Sequence, residues 1–128
     1  MNDSPTPARG EPAIRTIPMP SDVNSNGDIF GGWVLAQMDV AGGIVAAQQA
    51  KGRVATVAIA AMSFHQPIKV GDVVSIYADI AKVGKTSITV VMETVARRRL
   101  DPAEIRVTEG TFVYVAIDDS GRPRPVPK

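Results

Sequence analysis

The sequence predicts an α+β fold, an antiparallel sheet of five to six strands wrapped around one long central helix. Residues 29–50 run for 22 positions with one charged side chain, Asp39. Four stretches of strand character follow that run, and a chain of 128 residues can bury a single core.

The first 12 residues, MNDSPTPARGEP, are rich in Pro, Ser and Gly. They are expected to be disordered or loosely docked, with one domain over residues 13–128. They lack the apolar core of a signal peptide, so the expected location is cytoplasmic. Residues 14–19 read as a short first strand, stopped by Pro18 and Pro20. Residues 21–30 are polar and turn-forming, and Asn24-Ser25-Asn26-Gly27-Asp28 suits left-handed conformations.

From Gly31 the run GGWVLAQMDVAGGIVAAQQA contains no Pro and is rich in Ala, Leu, Met and Gln. Its apolar residues lie on nearly every face, which predicts a buried helix closed by Gly52. Membrane insertion is not expected. Asp39 with Gln37, Gln48 and Gln49 would be costly in lipid, and four glycines weaken the segment. Strands are predicted at residues 53–65, 72–83, 87–98 and 106–117, with turn chemistry at 67–71, 84–85 and 100–104. The tail, SGRPRPVPK, has three prolines in its last six residues and should be extended.

Composition excludes several function classes. The chain carries 14 basic and 13 acidic residues, which argues against a general nucleic-acid surface. With no cysteine there is no disulfide, thiolate nucleophile or Cys-ligated zinc. A single histidine, His65, makes a poor metal constellation, so no metal is expected. Ser63 precedes His65 closely, but strand alternation gives no nucleophile elbow and no Ser-His-Asp triad.

Asp39 is the residue that needs a reason. A carboxylate inside an apolar helix faces protein or a subunit contact, where desolvation makes such a group a stronger base unless a donor or cation compensates. A buried Asp held by backbone amides or an Arg is the structural alternative. Spacing adds a constraint. Asp39 lies eight residues beyond Gly31, on the order of 12 Å along one helix axis. One reacting carbon does not comfortably meet both, so if both act the natural solution is a dimer in which one helix start faces the other subunit's Asp39.

A family resemblance rests on specific residues. Met19-Pro20-Ser21-Asp22, Asn24, Asn26-Gly27-Asp28-Ile29-Phe30-Gly31-Gly32-Trp33 and Gln37-Met38-Asp39 resemble the signature of YciA-type acyl-CoA thioesterases. Gly52-Arg53-Val54, Phe64 with Pro67, Val70-Gly71-Asp72-Val73-Val74 and Gly121-Arg122-Pro123-Arg124 extend the likeness over residues 14–127. The resemblance implies a hotdog fold, hydrolysis of acyl-CoA thioesters, and self-association as a dimer and a hexamer built as a trimer of dimers. The thioester would be the substrate and no cofactor is expected.

The resemblance also implies site roles. Asp39 matches the catalytic carboxylate, as general base or nucleophile. Gly31 and Gly32 offer free helix-start amides for an oxyanion and let a carbonyl approach closely, or else allow tight helix packing. Asp28 would orient water or the carbonyl, or act as an ordinary helix cap; Asn24 would contact substrate or simply shape the turn. The pantetheine arm of coenzyme A is expected near Ser63 and Phe64, and its nucleotide near Gly84, Lys85, Thr86 and Ser87. That last sequence is no P-loop, and an ordinary hairpin is the alternative. Arg97, Arg98 and Arg99 would meet phosphate or form a solvated strand end. The family often carries a basic or long aliphatic residue between Phe64 and Pro67; here stand His65 and Gln66. A hydrogen-bonded structural role is expected for His65 rather than a catalytic one.

Overall fold

A computed structural model describes residues 7–127. Element by element it contains β1 (Ile14–Thr16), a single 3-10 turn (Pro20–Asp22), α1 (Gly31–Ala50), β2 (Val54–Phe64), β3 (Val73–Val83), β4 (Ser87–Arg97) and β5 (Glu104–Ala116). The strands form one antiparallel sheet in the order β1-β3-β4-β5-β2. Helix α1 crosses one face of it, as the apolar run predicts.

Strand alternation sorts the side chains. Val74 and Ile76 of β3, Ile88, Val90 and Met92 of β4, and Phe112, Tyr114 and Ala116 of β5 face the helix and are buried. From α1 they meet Val34, Met38, Ala41, Ala46 and Ala50. The opposite side of α1 is not covered: Val40 is 55% exposed and Ile44 is 42% exposed. A helix apolar all round but buried on one side only is a helix awaiting another surface.

Strand β2 ends the sheet. It pairs only with β5, and register shifts interrupt that pairing between Thr56 and Ala58 and between Ile59 and Ala61. That outer edge of eleven residues has no partner strand among the described residues and leaves Val57 and Ile59 exposed. On the other side of the sheet, Arg9 lies over the Tyr77 ring at 4.5 Å and pairs with Glu93 at 2.9 Å and Glu104 at 3.1 Å. These contacts dock residues 7–12 on the sheet; the expectation for residues 1–6 lies outside the described residues.

The helix end differs in detail from expectation. The left-handed residue is Lys51, with φ 54°, and not Gly52. Gly52 is small for another reason: a Cβ there would lie 2.6 Å from Arg124 Nη2. That nitrogen donates to Ala50 O at 2.9 Å, while Arg124 Nε donates to Ile117 O at 3.1 Å. The C-terminal tail thus returns a guanidinium to the carbonyl end of α1, where its charge complements the helix dipole.

Thr94 is fully buried and, among the described residues, its hydroxyl has no partner, a desolvation cost without a bond in return. Thr94→Val should therefore raise stability by about 1 kcal/mol, read as an upward shift of the urea midpoint at unchanged slope. A loss of stability would show that the hydroxyl has a partner in the assembled protein.

Candidate active site

Asp39 sits on the third turn of α1, half-buried against the inner face of the sheet. Thr56 Oγ1, from β2, donates to Asp39 Oδ1 at 2.7 Å. Tyr114, from β5, donates its hydroxyl to the same oxygen at 3.1 Å and to the Asp39 backbone carbonyl at 3.0 Å. Thr56 and Tyr114 are register partners on adjacent strands, so sheet pairing itself brings the two donors together. Burial first, and the neighbouring Asp39 carboxylate second, push the Tyr114 phenol well above its usual range, so it stays protonated and donating.

Asp39 Oδ2 has no hydrogen-bond partner among the described residues. The carboxylate borders an open cleft of about 230 Å³ lined by Gly32, Leu35, Ala36, Thr56, Ile59 and Phe112. Apart from the carboxylate and Thr56, the lining is apolar. A carboxylate held at one oxygen beside such a cleft is arranged to take a proton or attack an electrophile with the other.

A second cleft, about 310 Å³, opens at the helix start and includes Asn24, Asp28, Gly31, Phe64, His65 and Ile68 in its lining. The amides of Gly31 and Gly32 donate to no acceptor among the described residues; within the first turn, Trp33 N donates to Phe30 O at 3.1 Å. Free N–H groups at a helix start are suited to hold negative charge. A Cβ at Gly31 would come no closer than 3.9 Å to the Phe64 ring. Packing against its own chain therefore does not explain Gly31. Within one chain, Gly31 borders one cleft and Asp39 the other.

A family model described as the thioesterase superfamily matches residues 26–102. The chain belongs to the thioesterase superfamily. It is 48% identical over 122 residues to the acyl-CoA thioester hydrolase YciA of Salmonella typhimurium, across 93% of this chain and 92% of that protein. Among solved structures it is similar to an aspartate-to-alanine mutant of HI0827, a hexameric broad specificity acyl-coenzyme A thioesterase, with TM-score 0.90 and 44% identity over 94% of this chain and 88% of that one. It is also similar to Cj0915, a hexameric hotdog fold thioesterase of Campylobacter jejuni, with TM-score 0.87 and 38% identity over 92% and 91% of the two chains. The long helix laid on a five-stranded antiparallel sheet is the hotdog fold.

In this thioesterase-superfamily chain the remaining sequence assignments fall into different places. Asp28 does not cap α1: the N-cap position is Phe30, with no side-chain cap, and the Asp28 carboxylate pairs with Lys69 instead. Asn24 is a turn residue, its Oδ1 accepting from Asn26 N at 2.9 Å and Asp28 N at 3.1 Å. Phe64 faces Gly31, whereas Ser63 alternates to the other face opposite Glu109. His65 Nε2 lies 3.3 Å from Glu109 Oε1, the hydrogen-bonded arrangement expected of it.

Gly84, Lys85, Thr86 and Ser87 form the β3–β4 hairpin, closed by Gly84 N donating to Ser87 O at 2.8 Å. They line neither cleft. Arg97 lies 3.7 Å from Glu104 and Arg98 lies 3.8 Å from Asp72, a strand end made of ion pairs. Thr56 and Tyr114 were not legible as site residues. The one available signal was indirect: Gly42 and Gly43 in mid-helix imply a close neighbour but do not say which.

Proposed function

We propose that this chain is an acyl-CoA thioesterase, converting acyl-CoA and water to a free carboxylic acid and coenzyme A. The observation that carries the proposal is Asp39, anchored through Oδ1 with Oδ2 free at an apolar cleft, in a chain 48% identical to an acyl-CoA thioester hydrolase. Asp39 acts as general base on water or as nucleophile on the thioester carbonyl, and the Gly31 or Gly32 amide stabilises the oxyanion.

Because the Gly31 amide and Asp39 border separate clefts of one chain, the working site is shared. The helix start of one subunit faces Asp39 of the partner subunit, giving two sites per dimer. Val40 and Ile44 of α1 with Val57 and Ile59 of β2 supply an exposed apolar surface for that association. The hexameric state named for the similar structures is proposed here as a trimer of such dimers. Phe64 and Ser63 are assigned to the pantetheine path, and the residues 84–87 hairpin to the nucleotide, reached from a neighbouring subunit. Asp28 and Asn24 line the same helix-start cleft as Phe64. The reaction uses water and no cofactor. We place the protein in the cytoplasm, consistent with no described helix being long and apolar enough to cross a membrane.

The test is release of free CoA thiol by the purified protein from short, medium and long acyl-CoAs. Turnover on at least one length class is expected. CoA binding without turnover on any of them would make the protein an acyl-CoA sensor, and the absence of both would leave an assembly module. A single turnover in oxygen-18 water then separates the two roles of Asp39: label in Asp39 marks an acyl-aspartyl anhydride, and label only in the released acid marks direct water attack.

A further inference from the structure

Within the thioesterase reading above, on which this inference rests, we infer that Tyr114 is a positioning residue that makes Oδ2 the reactive oxygen of Asp39. The Tyr114 hydroxyl reaches both the backbone carbonyl and Oδ1 of Asp39, at 3.0 and 3.1 Å. One rigid group thereby ties the side chain of Asp39 to its own main chain and fixes the rotation of the carboxylate. Thr56 Oγ1 meets the same Oδ1 at 2.7 Å from the neighbouring strand. Two neutral donors hold that one oxygen in place without neutralising the group, and the other oxygen has no partner among the described residues beside the cleft that Asp39 lines.

The phenol is built in, not incidental. Tyr114 is 1% exposed, and its ring stacks on Phe112 with centroids 6.4 Å apart and planes 20° apart. The helix opposite it carries glycine where the hydroxyl passes: a Cβ on Gly42 would lie 2.3 Å from the Tyr114 oxygen. A mid-helix glycine is unfavourable by itself, and here it makes the space through which the phenol reaches Asp39. The ring is held by the core and the hydroxyl by the helix, so the donor does not reorganise as charge moves on the carboxylate.

The test is Tyr114→Phe, which keeps the ring and removes only the donor. If the wild-type enzyme turns over, the variant should lose about 10- to 100-fold in kcat with KM changed less than about twofold, since Tyr114 lines neither cleft. Thr56→Val should lower kcat in the same way. The double variant should lose less than the product of the two single losses, because both donors serve one oxygen. Unchanged kcat in a folded, correctly assembled Tyr114→Phe overturns the inference, as does a loss that appears in KM alone or vanishes at temperatures well below the variant's Tm. Should Tyr114→Phe fail to assemble, Thr56→Val reads the same oxygen from the strand side, and full activity there also overturns it. An inactive wild type refutes the thioesterase reading itself, a result distinct from any of these.

Discussion

Asp39→Asn should reduce thioester hydrolysis roughly 10³-fold while leaving assembly and CoA binding intact. The separation follows from the hydrogen bonds at Asp39. Thr56 and Tyr114 both donate to Oδ1, and the asparagine carbonyl oxygen accepts both in the same place. The amide nitrogen then stands where Oδ2 stood. It carries no negative charge, takes no proton from water and does not attack a carbonyl. The substitution therefore exchanges the chemistry and keeps the packing, so a fall in kcat is not a folding effect. Free-thiol release measures turnover, sedimentation measures assembly, and calorimetric titration measures CoA affinity. Activity within about tenfold of wild type would remove Asp39 from the chemistry and return it to the structural role that sequence alone left open.

The second large effect is expected at Gly42, by overpacking. A methyl group there would stand 2.3 Å from the Tyr114 oxygen, 2.8 Å from Met92 Cε and 3.0 Å from Tyr114 Cε1. The Met92 terminus can swing aside, but the tyrosine ring is wedged in the sheet against Phe112 and has no free rotation to offer. Either α1 lifts from the sheet or Tyr114 shifts, and a shift breaks its bonds to Asp39. Alanine improves helix propensity by about 1 kcal/mol, yet overpacking of this kind costs about 1–3 kcal/mol and more when a buried hydrogen bond goes with it. Gly42→Ala should therefore lower the unfolding free energy by about 1–3 kcal/mol and take catalysis down with it. Gly43→Ala is the control, because its nearest contact is Tyr114 Cε2 at 4.0 Å; it should be neutral or stabilising. Equal behaviour of the two variants in denaturation would refute the close approach at Gly42.

Local features of the chain were set by sequence alone, because their causes act over a few residues. The Pro-free apolar run begins where turn residues end, and α1 occupies Gly31–Ala50, the span read from it. The Gly84-Lys85 turn separates two eleven-residue strands, β3 and β4, close to where the pattern put the break. Helical rise also separates Gly31 from Asp39 by eight residues, the spacing on which the proposal of a shared site rests. Residues that act through the company they keep were not legible. Tyr114 reaches Asp39 across 75 positions and Thr56 reaches it across 17. Lys69 takes Asp28 away from the helix end across 41 positions, and Arg124 closes that helix from 74 positions beyond Ala50. Such pairings follow from strand order, from β-bulges that change which side chains face the helix, and from the depth at which each group is buried. Periodicity carries none of these, so the chain's pattern was enough to place the elements and to single out Asp39 as the candidate carboxylate, while the partners that hold its Oδ1 came into view with strand pairing and packing depth.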